Sequence, residues 1–185
     1  MIKKTIFIFF LTVSWFVFIG LVSSGELKLP SDKINKTIRK RLGDFSFELI
    51  SVDSESVIYP TLLYRIEADN STSGYVYASR LNSCRAGGCD ANPMMQNNEF
   101  EYFDYFFVTD STGKVMNVKI FNYEATHGHQ VMSRGWLKQF IGFSGDQTLT
   151  YGTDIQAVSG ATISAKALIT DIQEAEKIIV DFINQ

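Results

Sequence analysis

The stretch that most constrains how this chain folds is a pair of aromatic-rich apolar segments joined by a tight-turn sequence. Tyr102 to Val108 runs into Asp110-Ser111-Thr112-Gly113 and then into Val115 to Tyr123. Aromatic and β-branched side chains fit a pleated surface. Asp and Gly at those places return the chain on itself. The stretch reads as an antiparallel hairpin, with Val118, Ile120 and Met116 assigned to one face. Phe100, Tyr102, Phe103, Tyr105, Phe106, Phe107, Phe121 and Tyr123 crowd the region. Rings in strands belong first to a core, and only second to a cofactor pocket.

Three further segments read as strands: Phe45 to Val52, Leu62 to Ala68, and Gly74 to Leu81. A helix is expected from Ser31 or Asp32 to Leu42, because Ile34, Ile38 and Leu42 recur every four residues and Gly43 can stop it. Its other face carries Lys36, Arg39, Lys40 and Arg41. That face is either simply solvated or in contact with anionic lipid headgroups. Gln130 to Phe140 reads as a short helix with Trp136, Leu137 and Phe140 on one side, and Gly142 to Thr153 as a loop. The last segment, Ile163 to Ile183, is a helix whose buried face is Leu168, Ile172, Ala175, Ile179 and Phe182. The sum is an α+β fold: one domain with an antiparallel sheet and packed helices, following an N-terminal hydrophobic segment.

That N-terminal segment sets the compartment. Met1-Ile2-Lys3-Lys4 is basic, and Ile6 to Val22 is uncharged. Such a run is near the lower limit for crossing a bilayer, about 17 residues. It is either a retained membrane anchor or a signal peptide cleaved near Val22-Ser23-Ser24. No Cys follows it, which excludes a lipoprotein signal. Both readings put the remainder on the extracytoplasmic side, at the cell membrane or in the periplasm. The net charge of -3 and the absence of a basic block beyond Arg39-Lys40-Arg41 argue against a nucleic-acid partner. In an oxidising compartment Cys84 and Cys89 read as a disulfide, with Gly87 and Gly88 giving the loop its freedom. No second Cys pair accompanies them for zinc, and the haem-attachment pattern is absent.

The final helix opens with Ala157-Val158-Ser159-Gly160-Ala161-Thr162-Ile163-Ser164. A helix N-terminus offers unpaired N–H groups and a partial positive charge. Gly160 and Ala161 leave that turn uncrowded, and Ser159, Thr162 and Ser164 add hydroxyls. On physical grounds the sequence is either an ordinary helix cap or a phosphate cradle.

Ser159-Gly160-Ala161-Thr162 followed by Ile163-Ser164 resembles the flavinylation motif of the FMN-binding domain family. Members include periplasmic subunits of the sodium-pumping NADH:quinone reductase and of Rnf electron-transport complexes. The resemblance runs from Asp69 to the end of the chain. Together with the segments read above, it divides the chain into a leader or anchor over 1–24, a helix and strand extension over 25–68, and an FMN-binding domain over 69–185. It also implies FMN joined to Thr162 by a phosphoester, made by a separate flavin transferase that uses FAD. Thr126-His127-Gly128 is similar to the family's Glu-Thr-x-Gly turn near the flavin ring, except that Ala125 intervenes after Glu124. The segment from Gly74 to Cys89 looks like a version found in Bacteroidetes proteins. The family motif carries an acid three places before its serine; here that place is Gln156, and the nearest acid is Asp154. Tight non-covalent FMN is therefore the alternative.

The implied role is an electron carrier between membrane partners and an extracytoplasmic acceptor, with no residue needed as a catalytic acid or base. A flavin would give Cys84 and Cys89 a second reading, as a dithiol exchanging electrons. Trp136 could stack on its ring. His127 and His129 could satisfy local hydrogen bonds, contact the flavin, or join Glu124 as metal ligands. The rivals are an anchored module that binds protein or glycan without flavin, and a metal-assisted hydrolase.

Overall fold

The computed structural model describes residues 27–52, 60–83 and 101–184. The apolar run Ile6 to Val22 lies outside them, as do Cys84 and Cys89. Among the described residues, five strands form one antiparallel sheet in chain order. They are β1 (Glu48–Val52), β2 (Thr61–Ala68), β3 (Ser71–Asn82), β4 (Tyr102–Thr109) and β5 (Val115–Tyr123). Helix α1 (Ser31–Leu42) precedes the sheet, and helix α3 (Thr162–Ile183) ends the fold. No helix of the described residues is long and apolar enough to cross a membrane. The α+β class read from the sequence holds.

The two helices cover opposite faces. Ile34 and Ile38 of α1, with Leu27, pack against Ile66, Val76, Ala78, Phe106 and Val108. Leu168, Ile172, Ala175 and Ile179 of α3 pack against Tyr75, Tyr77, Phe103, Tyr105 and Phe107. Neighbouring residues of β3 and β4 are therefore buried on alternate faces, which is why these strands read as near-continuous apolar runs. Burying one such ring stabilises by about 2 kcal/mol. Under α3, Asp171 Oδ2 accepts hydrogen bonds from the Tyr105 hydroxyl at 2.6 Å and the Tyr77 hydroxyl at 3.1 Å. Burial pushes the Asp171 carboxyl up from its ordinary value, and the two hydroxyls partly offset that.

The hairpin β4–β5 carries two bulges. Its turn is closed by the Gly113 N–H donating to the Asp110 carbonyl at 3.1 Å and by Asp110 Oδ1 accepting from the Thr112 N–H at 2.9 Å. Near the turn, Thr109 pairs with Val115 and Val108 with Asn117, leaving Met116 out of register. Val115, not Met116, consequently joins Val118 and Ile120 in the core beneath α3. At the far end, Tyr105 pairs with Ile120 and Asp104 with Asn122, leaving Phe121 unmatched. Side chains alternate along a strand, so one extra residue reverses the alternation. Phe121 packs on the α1 side. Tyr123 emerges on the α3 side, its ring stacked 5.5 Å from that of Phe103.

The helix expected over Gln130 to Phe140 is instead three short turns: a 3-10 turn His129–Met132, α2 (Arg134–Leu137) and a 3-10 turn Lys138–Phe140. Ser133 is the reason. Its backbone is extended and its side chain accepts from the Trp136 N–H at 3.2 Å, so it ends one turn and caps the next. Trp136, Leu137 and Phe140 are buried together, as their spacing suggests. Beyond them, Gly142 and Phe143 exchange backbone hydrogen bonds with Val115, covering the start of edge strand β5.

Candidate functional site at the head of the last helix

The chain reaches α3 through a tight turn, in which the Ala161 N–H donates to the Val158 carbonyl at 3.3 Å. Gly160 within it takes φ +75°, a left-handed conformation that costs a glycine little. The N-cap residue is Ala161, and no side chain caps the helix. The ordinary-cap reading of the serines and threonine is thus not what the fold uses. The first turn keeps its N–H groups for another acceptor, and Ser159, Gly160, Thr162 and Ile163 are exposed around it while Ala161 is buried. Ser164, counted from the sequence among the cradle hydroxyls, points inward instead and is 1% exposed.

Tyr151 organises this turn. Its hydroxyl accepts from the Val158 N–H at 2.9 Å, lies 3.1 Å from the Val158 carbonyl, and sits 3.4 Å from Thr162 Oγ1. Gln156, three places before Ser159, is held by its backbone. Its N–H donates to Gln139 Oε1 at 2.8 Å, and its carbonyl accepts from the Trp136 indole at 2.8 Å. Trp136 is accordingly a core residue, packed edge-on against Phe140. Asp154, the nearest acid, closes its own loop by accepting from the Thr150 N–H at 2.8 Å.

The Thr126-His127-Gly128 turn lies against the same helix end. The Tyr123 hydroxyl donates to the His127 carbonyl at 2.6 Å and lies 3.2 Å from Ser164 Oγ. Ser164 Oγ is also 2.6 Å from Ser83 Oγ, at the end of β3. Gly128 passes over this hydroxyl cluster with φ +89°. A Cβ there would fall 2.5 Å from the Tyr123 hydroxyl and 2.8 Å from Ser164 Oγ, so only glycine fits. Thr126 is fixed by Glu101: its N–H donates to one carboxylate oxygen at 2.7 Å and its hydroxyl to the other. The Ser83 N–H donates to the Glu101 carbonyl at 2.7 Å, which clamps together the two ends of the segment that contains both cysteines.

The structure therefore brings together the two pieces that the sequence singled out separately. His127 and His129 are exposed, with the His129 ring 4.7 Å from that of Tyr123. Gln130, next along, has its amide nitrogen 3.7 Å from where a Gly160 Cβ would stand. Among the described residues no three His, Cys, Asp or Glu side chains converge to hold a metal, Glu124, His127 and His129 included. Sequence reasoning missed Tyr151, Ser83 and Glu101. Tyr151 and Glu101 lie in no motif, Ser83 lies within the Gly74 to Cys89 segment without standing out there, and only tertiary pairing reveals them.

An uncapped helix N-terminus ringed by exposed hydroxyls suits a phosphate, and the adjoining turn leaves polar groups and a ring face beside it. FMN offers a phosphate and a planar ring, so the residues present fit it. No curated protein matches the chain. Residues 104–177, from β4 into α3, match the family model described as the FMN-binding domain. That match, over a stretch that holds both halves of the site, supports the FMN-binding domain family for this part of the chain and FMN as its cofactor.

Proposed function

We propose that this protein is an extracytoplasmic electron carrier whose FMN is joined to Thr162 by a phosphoester. The observation that supports it best is the exposed Thr162 hydroxyl on the first turn of an uncapped helix, 3.4 Å from the Tyr151 hydroxyl. When bound, FMN supplies the acceptor and donor of one or two electrons. The first-turn N–H groups and the helix dipole favour the phosphate's charge. Thr162 Oγ would take the phosphoryl link and give up its proton. A separate flavin transferase with FAD as donor would make that link, breaking the pyrophosphate bond of FAD and releasing AMP. The exposed His127 and His129 would meet the ring and tune its potential. Membrane or extracytoplasmic redox proteins are the partners this role requires.

Mass spectrometry of the native exported protein is the test. The reading predicts a flavin phosphate mass on the peptide containing Thr162, and none in Thr162→Ala. Flavin that is released only on denaturation would instead establish non-covalent FMN, the second reading. That alternative is favoured by Gln156 standing where the family carries an acid and by Asp154 being engaged with Thr150. A colourless protein with no flavin in either form would sink both.

A further inference from the structure

We propose that a basic surface along the β5 edge of the molecule is a docking face for anionic phospholipid headgroups. On α1, Lys33, Lys36 and Lys40 recur at helical spacing and form one exposed stripe, separate from the buried Ile34 and Ile38. Arg41, on the flank of that stripe, donates to Asn117 Oδ1 of β5 at 3.3 Å, which turns the stripe toward the β5 edge. On β5, Lys119 pairs with Phe106 and so lies on the α1 side of the sheet. Arg134 of α2 completes the group, close enough to Lys119 to act on its charge.

These charges are close enough to act on one another. The Lys119 ammonium is pushed below its ordinary value, first by partial burial and then by Lys33, Arg134 and Lys36. Among the described residues, none of these six basic side chains has an ion-pair partner; the pairs present are Arg39–Asp44, Arg65–Glu67 and Arg80–Asp104. Asp32, on the first turn of α1, is the acid nearest to the stripe in sequence. A cluster of unpaired like charges opposes its own assembly in the folded state unless an anionic surface neutralises it.

The occupant follows from what precedes α1. The inference rests on reading Ile6 to Val22 as a segment seated in a membrane. The spacer from Ser23 to Pro30 extends to at most about 28 Å. The stripe begins just past that spacer, within reach of the headgroup layer. Arg134 follows the 3-10 turn that holds His129, so docking by this face would also keep the flavin site near the membrane surface.

The test uses the full chain in lipid nanodiscs, with a photo-crosslinking amino acid placed at Lys40, inside the stripe, or at Lys177, on α3. The proposal expects lipid adducts at position 40 several-fold more abundant in phosphatidylglycerol-containing discs than in phosphatidylcholine discs. It expects few at position 177 in either. Lys33→Glu with Lys36→Glu and Arg134→Glu should remove most of that difference while leaving flavin content unchanged. Equal adducts at position 40 in both lipids would mean proximity from the anchor alone and would overturn the proposal. So would adducts to a protein rather than to lipid in native membranes. If the isolated chain has lost its apolar segment, flotation with the two vesicle types decides: binding to anionic vesicles alone upholds the face, and no binding refutes it.

Discussion

Ser83 and Ser164 meet hydroxyl to hydroxyl at 2.6 Å, joining the end of β3 to the first turn of the last helix. Both are buried, and the Tyr123 hydroxyl completes the cluster at 3.2 Å from Ser164 and 3.4 Å from Ser83. Ser164→Ala leaves the Ser83 hydroxyl without its closest partner and should cost about 1–2 kcal/mol. Urea denaturation reads this directly. Thr162 is untouched by the change, so flavin should still be found on its peptide.

Gly128→Ala should cost more, about 2–3 kcal/mol. It adds left-handed strain to a collision with the Tyr123 hydroxyl and Ser164. Gly152→Ala is the control. Its φ of +86° carries the same strain, but nothing lies within 4 Å of the new Cβ, so about 1 kcal/mol is expected. Equal losses in the two variants would show that the packing over Ser164 contributes nothing.

Tyr151→Phe removes the hydroxyl that holds both polar backbone atoms of Val158 and approaches Thr162. Thermal stability should fall by only about 1 kcal/mol, because one hydroxyl is lost from a partly exposed loop. The fraction of Thr162 peptide bearing flavin should fall several-fold, since the attachment turn is no longer fixed. Full flavin loading with unchanged kinetics of incorporation would refute a positioning role for Tyr151.

His127 and His129 can be separated by potentiometry. If His127 faces the ring, His127→Gln should shift the flavin midpoint potential, because a side chain that can carry charge is replaced by one that cannot. An unchanged potential in that variant, with a shift in His129→Gln, would move the contact to the imidazole beside the Tyr123 ring.

Glu176 should make stability fall as pH rises. Its side chain is 1% exposed and its Oε1 has no hydrogen-bond partner. Burial, and then Asp146, push the carboxyl above its ordinary value of about 4.5. The folded state therefore binds a proton more tightly than the unfolded chain. The stability this gives is complete below the unfolded value and is lost as pH climbs through the folded one. Glu176→Gln should be more stable than the parent by about 1 kcal/mol at pH 8 and no more stable near pH 4. Asp171 has the same sign and should leave a residual slope in the variant. Unfolding midpoints measured across that range would show whether the difference closes on the acid side.

How much of this was legible beforehand depended on whether the cause was local. The strands, α1 and the buried face of α3 follow from periodicity, which each segment carries in itself. The motif turn was legible as an anion site or a cap; the choice needed the fold, because only the folded chain shows Ala161 at the cap and Ser164 facing inward. Bulges leave no local signature, so the pairing that left Met116 and Phe121 out of register was not readable. Ser133 breaking the expected helix was a local signal that the apolar spacing of Trp136, Leu137 and Phe140 outweighed. Tyr151 was invisible as a site residue, since nothing near it in sequence marks the hydroxyl that meets Thr162.

The clamp between the Ser83 N–H and the Glu101 carbonyl has an evolutionary corollary. Ser83 touches Ser164, and Glu101 holds Thr126, so both ends of the intervening segment are fastened to the site independently of what lies between them. Lengthening an already closed loop is inexpensive, about 0.6 kcal/mol for each doubling. Insertions and deletions between residues 84 and 100 should therefore accumulate among descendants of this chain without disturbing the head of the last helix. That segment is where the domain can acquire new surface, and new partners, while its flavin site stays unchanged.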